Sequence, residues 1–395
     1  MSLRVTLVGP FPPQKKGEAH YLGEFATALR DRGDLELSIV SQYWDKPFID
    51  RWNEFEVRRE FFDRSLRPSF APQKELVDAV ERTQPDAVHL HYGPNLDYGG
   101  RLGEPLVAAL RTLRGRGIKV VLTLHSLWLP RDVVDSQPAR RLPSPVRPLV
   151  VRYFGRLMRT LRASCDEFAC LVSSANSPMT REFADAYGLS GISEEVHGCK
   201  PRFSDLPPGP PLVFSFGFLR PDKGFEYLID GFARYVSQGG AGRLLIVGRP
   251  QTEGDLPYAR YLQEKALRVP GSRCTVEARF CSDEELESFL QASSLIVLPY
   301  LRNVGASGPL HHALGVGRPI ITTDVGHNRA LAAVATLVKP ADAGAIADAL
   351  VATLQDSRAA ADAAGRVRAQ ALERSWSMLA ARYTRIYANL RERTA

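Results

Sequence analysis

The sequence predicts an α/β protein of two similar halves, each a doubly wound parallel sheet covered by helices. Three observations carry this. Short Val-, Leu- and Ile-rich runs bounded by Gly recur along the chain, as expected of strands buried on both faces. Helical stretches alternate with these runs, the order that βαβ units require. The alternation lapses in the Pro- and Gly-rich stretch Glu195–Gly209 and then restarts. A length of 395 residues suits two ordinary domains.

Arg4–Gly9 (RVTLVG) is the first strand, followed by a loop of Pro, Lys and Gly. No small-residue cleavage site follows it, so it reads as a strand and not as a secretion signal. Ala19–Gly33 is an amphipathic helix ended by Gly33, and Leu35–Ser41 is the next strand. Pro85–His91 and Lys119–His125 are two more strands, with helix Leu102–Arg116 between them. Glu195–Gly209 has no periodicity and reads as an interdomain linker. Beyond it, Pro211–Gly217 is a strand, Lys223–Gln238 a helix and Arg243–Gly248 a strand, and Ser272–Phe280 contains another. Ser282–Ala292 opens with a capping box, Ser282 at the cap and Glu285 three residues on. Leu295–Leu298 and Pro319–Thr323 continue the strands. Ala341–Gln355 and Ser357–Ser375 are Ala-rich helices, and helix Trp376–Arg393 closes the chain. In open α/β sheets ligands bind beyond the carboxyl ends of the strands. Two such edges facing each other would form a cleft.

Composition narrows the function. The chain is 44% hydrophobic and 24% charged, as soluble globular proteins are. No run is apolar for long enough to span a bilayer. The five Cys form no CxxC pair, which suits a reducing cytoplasm and argues against a disulfide framework. The net charge of +7 favours anionic partners: phosphates, nucleotides or a membrane surface. No nucleic-acid-binding module is present, so nucleic acid is not expected as a partner.

The most informative stretch is Pro299–Pro319, PYLRNVGASGPLHHALGVGRP. A buried strand ends in a loop in which Gly305, Ala306, Ser307 and Gly308 leave room for close approach. Pro309 fits the first turn of a helix capped by Ser307 or Gly308. Strand, small-residue loop and helix N-terminus together make an anion cradle. The same residues also suit a strand–helix turn that binds nothing.

The second half resembles the nucleotide-binding domain of retaining glycosyltransferases of the GT-B fold, family 4. The segments FSFGFLRPDKGFEYLIDGF, RLLIVGRP, EARFCSDEELESFLQASSLIVLPY, GASGPLHHALGVGRPIITTDVGHNRAL and LVKPADAGAIADAL arrive in the order of that family. KVVLTLHS resembles the family's acceptor-side strand ending in His, and SWSMLAARYTRIYANL its returning helix. The resemblance implies two Rossmann-like domains facing across a cleft. Residues 1–205 form the acceptor side and 206–375 the donor side, with 376–395 crossing back to the first. It implies a hexosyltransferase-like enzyme that moves a sugar from a nucleoside diphosphate to an acceptor hydroxyl with retained configuration. It requires no metal and no further cofactor. The acceptor would be a carbohydrate or a lipid-linked one, and the setting the cytoplasm or the inner face of the membrane.

Where the family carries Glu, seven residues and Glu, this chain has Val304 and His312. Where it carries Gly-Gly-x-x-Glu, this chain reads Gly326-His327-Asn328-Arg329-Ala330. Both carboxylates of the first pair are absent, so the donor contacts must differ in part.

The residues have chemistry that suits such a reaction. Arg220 and Lys223 follow a strand end in a Gly-bracketed loop, where fixed cations offset the charge that grows on a leaving diphosphate; a solvated basic turn is the plainer reading. Gly217 and Gly305–Gly308 add a close backbone, and Ser307 a hydroxyl. Gly17 lets the first loop approach the diphosphate; Lys15, Lys16 and Glu18 beside it suit a solvated loop equally well. Arg249 is expected to reach base or phosphate and Asn303 sugar hydroxyls; the resemblance implies a ribose contact for His312, which suits packing or the surface as well. Arg279 and Phe280 match the base-binding turn, though Phe280 suits a core equally well. For His125, at a strand end, the resemblance implies that it orients the sugar or acceptor; a core or loop histidine is the plainer reading. His89 and His91 share one strand face and with His125 raise the option of a three-His metal site; an ordinary core role for His89 is the simpler reading. Finally, residues 139–162 hold seven Arg and no acidic side chain, a pattern suited to anionic lipid or to a surface helix whose Arg stems cover apolar neighbours. Two other functions compete: a non-catalytic GT-B protein that binds a phosphorylated ligand or supports a partner enzyme, and a sugar-nucleotide epimerase of the same fold.

Overall fold

The computed structural model describes residues 2–14, 16–64, 73–93, 104–206 and 208–392. Lys15 and the first two residues of the helix expected at Leu102–Arg116 lie outside them. The chain divides into two units, Met1–His197 with Trp376–Ala395, and Gly198–Ser375.

In the first unit the chain runs β1 (Leu3–Val8), α1 (Gly17–Arg32), β2 (Leu35–Tyr43), β3 (Phe48–Trp52), β4 (Phe55–Phe62), α2 (Lys74–Arg82), β5 (Ala87–Tyr92), α3 (Glu104–Gly115) and β6 (Lys119–Leu124). It continues through α4 (Pro130–Val134), α5 (Gln137–Arg140), α6 (Arg147–Ala163), β7 (Glu167–Val172), α7 (Pro178–Tyr187) and β8 (Ser193–Val196). The eight strands lie in the order β3-β4-β2-β1-β5-β6-β7-β8. All pair in parallel except β3 with β4. Strand order reverses at β1, which lies between β2 and β5. Alternation along β5 decides what each face holds. Val88, Leu90 and Tyr92 join the apolar core against α2 and α3, while His89 and His91 face Phe25 of α1 edge to face.

Three expectations are corrected in this unit. The β3–β4 hairpin and β7–β8 extend the sheet beyond the strands legible in the sequence; the hairpin turns at Asn53, whose φ of 51° is the left-handed conformation Asn tolerates. The supposed linker begins too early, because Glu195 and Val196 belong to β8 and Glu195 is fully buried. The basic stretch 139–162 is not one helix. Pro143 and Pro145 cannot sit in a helix interior, so α6 starts at Arg147.

The second unit runs β9 (Leu212–Phe216), α8 (Phe225–Ser237), β10 (Arg243–Gly248), α9 (Leu256–Ala266), β11 (Cys274–Ala278), α10 (Asp283–Ala292), β12 (Leu295–Leu298), α11 (Gly308–Val316), β13 (Ile320–Thr323), β14 (Thr336–Val338), α12 (Ala343–Leu354) and α13 (Ser357–Glu373). Its six parallel strands lie in the order β11-β10-β9-β12-β13-β14. Val213, Leu244, Ile246 and Val297 face one core with α8, α9 and α12. Phe214, Leu245, Val247 and Leu298 face another with α11. The reversal of order falls between β9 and β12, whose carboxyl ends precede the loops of Gly217–Lys223 and Pro299–Ser307. The helix expected at Lys223–Gln238 is split: Pro221–Lys223 is a separate short turn, and Gly224, at φ 68°, breaks it from α8. Glycine is required there, since a Cβ would lie 2.2 Å from the carbonyl oxygen of Pro299.

The last helix, α14 (Trp376–Glu392), groups with the first unit. Its Tyr383 packs edge to face on Phe25 and stacks on His89.

Candidate functional site

Most of the residues singled out in the sequence gather at the carboxyl edge of the second sheet, around the switch between β9 and β12. Gly217 follows β9 with φ 131°. Gly248 ends β10 so close to it that a Cβ would fall 1.8 Å from the Gly217 carbonyl oxygen. The approach requires glycine at 248, and the positive φ requires it at 217. The next loop carries Arg220, whose guanidinium is clamped by Asp222 at 2.8 and 2.7 Å and also donates to Gln251. Lys223 lies with its ammonium 4.1 Å from the ring centre of Tyr300. Loss of solvent around that ammonium pushes its pKa down to about 8, opposed by the Asp222 carboxylate.

Tyr300 also links this cation to the loop after β12, its hydroxyl lying 2.7 Å from Ser307 Oγ. Ser307 is the N-cap of α11 and accepts from the Leu310 amide at 3.4 Å. Pro309 occupies the first turn, where its missing N–H leaves no helical bond unmade. Lys223, Tyr300, Ser307 and the N-terminus of α11 therefore form one connected line. Positive charge and the positive end of a helix dipole share one sheet edge. The other residues are placed as follows. Arg249 follows β10 and stacks over Phe218 at 5.3 Å. Arg279 is tied to Glu277 and Glu285, and Phe280 beside it is 55% exposed, so it is not a core residue. His312 lies on α11 with its ring edge-on to Phe216. Asn303 is buried, and its amide donates to Asn328 at 2.7 Å; that bond braces the loop from beneath.

In the first unit, His125 follows β6 at the carboxyl edge, its amide donating to the Tyr92 carbonyl at 2.7 Å. Its Nε2 lies 3.0 Å from Nδ1 of His91, and Tyr21 meets its ring edge to face at 5.0 Å. Burial pushes His125 and His89 down to about 3 and His91 well below its ordinary value. All three rings are neutral at physiological pH. They do not converge on one point: His89 bonds Thr123 and Tyr387 on its two nitrogens. Gly17 is the first residue of α1, and a Cβ there would meet nothing within 4 Å, so the local backbone does not demand glycine. Lys16 pairs with Asp63 at 3.3 Å. The residues that sequence reasoning missed are Asp222, Tyr300 and the fully buried Arg59. Arg59 binds Asp50 and the Phe11 and Pro12 carbonyls, fixing the loop after β1.

Residues 16–192 match the model of Glycosyltransferase Family 4, and residues 210–356 match that of Glycosyl transferases group 1. The chain is a GT-B glycosyltransferase of family 4 type. Solved glycosyltransferase structures share its fold over nearly the full length. Sucrose-phosphate synthase from Thermosynechococcus elongatus is 19% identical with a TM-score of 0.69, covering 98% of this chain and 99% of its own. An α,α-trehalose-phosphate synthase (UDP-forming) from Burkholderia vietnamiensis is 13% identical with a TM-score of 0.70, covering 100% and 99%. Anabaena HepE, solved with UDP, is 16% identical with a TM-score of 0.69, covering 98% and 100%. No protein of curated function matches the chain. The glycosyltransferase places Val304 and His312 on either side of the α11 N-terminus, where neither supplies a carboxylate. What remains at that edge is backbone amides with Arg220, Lys223 and Arg249, and the Asp222 carboxylate that holds Arg220.

Proposed function

We propose that this glycosyltransferase takes a nucleoside diphosphate sugar on its second unit and passes the sugar to an acceptor hydroxyl with retention. The line Lys223–Tyr300–Ser307–α11 carries this reading. Arg220, Lys223 and the amides of Gly305–Gly308 receive the diphosphate, and Gly217 leaves the backbone open beside it. As the bond from the anomeric carbon to phosphate breaks, negative charge collects on the diphosphate. Each fixed donor there lowers the barrier by on the order of 3 kcal/mol. The acceptor oxygen bonds the anomeric carbon on the face the phosphate leaves, and its proton passes to a phosphate oxygen. Neutral His125, on the first unit, orients sugar or acceptor by hydrogen bonding. Phe280 and Arg279 hold the base, Arg249 reaches base or phosphate, and His312 offers the ribose one hydrogen bond in place of a carboxylate pair. The reading assigns charge neutralisation to side chains and amides and calls on no metal. The neighbour solved with UDP makes uracil the first base to try.

Leu149 is 58% exposed on α6, one turn before the exposed Arg152 on the same helix face. This supports an acceptor presented at an anionic lipid surface, with the protein on the cytoplasmic side.

The test is a panel of UDP-, GDP-, ADP- and dTDP-sugars with candidate acceptors, followed by nucleoside diphosphate release and proton NMR of the product. One donor is expected to turn over to a product of unchanged anomeric configuration. Inversion would contradict the mechanism. Nucleotide binding with no sugar release from any donor would favour the non-catalytic reading, which the loss of both carboxylates motivates.

A further inference from the structure

His91 is the buried group that this mechanism leaves unused. It sits on β5, fully buried, one strand away from His125. Its Nδ1 faces Nε2 of His125 at 3.0 Å, and its own Nε2 has no partner among the described residues. The rings of Tyr21 and Phe25 enclose it. Among the described residues His125 is the one hydrogen-bond partner of His91, so the single polar bond of its ring is made there.

The consequence falls on His125. Its main-chain amide is tied to β5 through the Tyr92 carbonyl, and its ring is wedged by Tyr21. A half-turn about the Cβ–Cγ bond would exchange Nε2 for a carbon and leave buried nitrogen lone pairs or N–H groups unpaired, at a cost comparable to a lost hydrogen bond. No hydrogen-bond partner for Nδ1 of His125 lies among the described residues, and the residue keeps 7% of its surface exposed.

We infer that His91 is a positioning residue that holds Nε2 of His125, so that Nδ1 is the ring nitrogen His125 presents to the sugar or acceptor. The inference rests on the role given to His125 above and adds which atom acts and what aims it. One proton is shared between the two inward nitrogens. His91 therefore sets whether the outward nitrogen donates or accepts.

Nitrogen-15 NMR of the histidine side chains tests this in the whole chain, first without ligand. In the wild type, Nε2 of His125 should carry the signature of a hydrogen-bonded nitrogen. His91→Phe should remove it, and His91→Asn, which keeps an amide at the Nδ1 position, should restore it. On adding the donor that turns over, Nδ1 of His125 should move to the shift of a hydrogen-bonded nitrogen, while Nε2 stays hydrogen-bonded to His91. With that donor His91→Phe should lower kcat about tenfold or more at little change in KM, the scale expected of a misaimed group. His91→Asn should recover most of it. Unchanged His125 shifts in His91→Phe, or loss of the hydrogen bond at Nε2 when the ligand binds, would overturn the inference. If no donor turns over, the transfer reading fails, while the ligand-free spectra still decide whether His91 aims His125. If His91→Phe does not fold, the wild-type and His91→Asn spectra carry the same decision.

Discussion

Lys223 meets two opposed demands. Enclosure over Tyr300 strips water from its ammonium and favours the neutral form, whereas a diphosphate needs the charge. Its pKa of about 8 in the free protein keeps it mostly protonated at neutral pH, and a bound diphosphate would raise that value. Binding then takes up a proton above about pH 8. Affinity should be full below that pH and weaken as pH rises through it, by up to about tenfold per pH unit. Calorimetric titration with the preferred nucleoside diphosphate between pH 7 and about pH 9 measures this, and Lys223→Met should flatten the profile. A flat wild-type profile would remove Lys223 from the diphosphate site. At this scale the sequence showed the cations and small residues, because Arg, Lys, Gly and Pro mark strand–helix turns by type. It did not show Asp222 or Tyr300 as partners. Tyr300 reads as the end of an apolar strand, and its role comes from two loops meeting.

Strand β8 shows where periodicity fails. Its sequence, Ser-Glu-Glu-Val, has no apolar alternation, and its last two residues look like the start of the linker Glu195–Gly209. Yet Glu195 is fully buried because hydroxyls from three distant elements converge on it: Tyr21 of α1, Thr123 of β6 and Tyr383 of α14. Thr123 in turn meets His89, which bonds Tyr387. This polar network fastens α14 to the first unit, and no local pattern encodes it. Burial raises the pKa of the carboxyl, while the hydroxyl bonds pull it back down. Glu195→Leu would leave the Tyr21 hydroxyl with no partner among the described residues and take one bond each from Thr123 and Tyr383, and should cost roughly 2 kcal/mol or more of unfolding free energy, read by urea denaturation. Glu195→Gln, which keeps an acceptor, should cost less. A neutral Glu195→Leu would show that packing alone seats α14. By contrast β5, β6, β10 and β12 were legible because strands buried on both faces are nearly continuous apolar runs.

At the scale of the whole molecule, two sheets, parallel but for the β3–β4 hairpin, each reverse strand order, and each reversal places its loops at a carboxyl edge. The fold class follows from the alternation of elements, and the family from motifs spread over both halves. The missing carboxylates at Val304 and His312 could be seen in the sequence, but what survives them could not. The α11 N-terminus, capped by Ser307 and tied through Tyr300 to Lys223, is intact without them. The central claim is therefore that this edge binds a nucleoside diphosphate through cations and backbone. Calorimetric titration of the whole chain with UDP, GDP, ADP and dTDP tests it most directly, on the wild type and on Arg220→Ala/Lys223→Ala. One nucleotide should bind the wild type, and the double variant should bind it at least about tenfold more weakly, about 1.4 kcal/mol, at an unchanged unfolding midpoint. Failure of all four to bind the wild type, or equal binding by the double variant, would contradict the account.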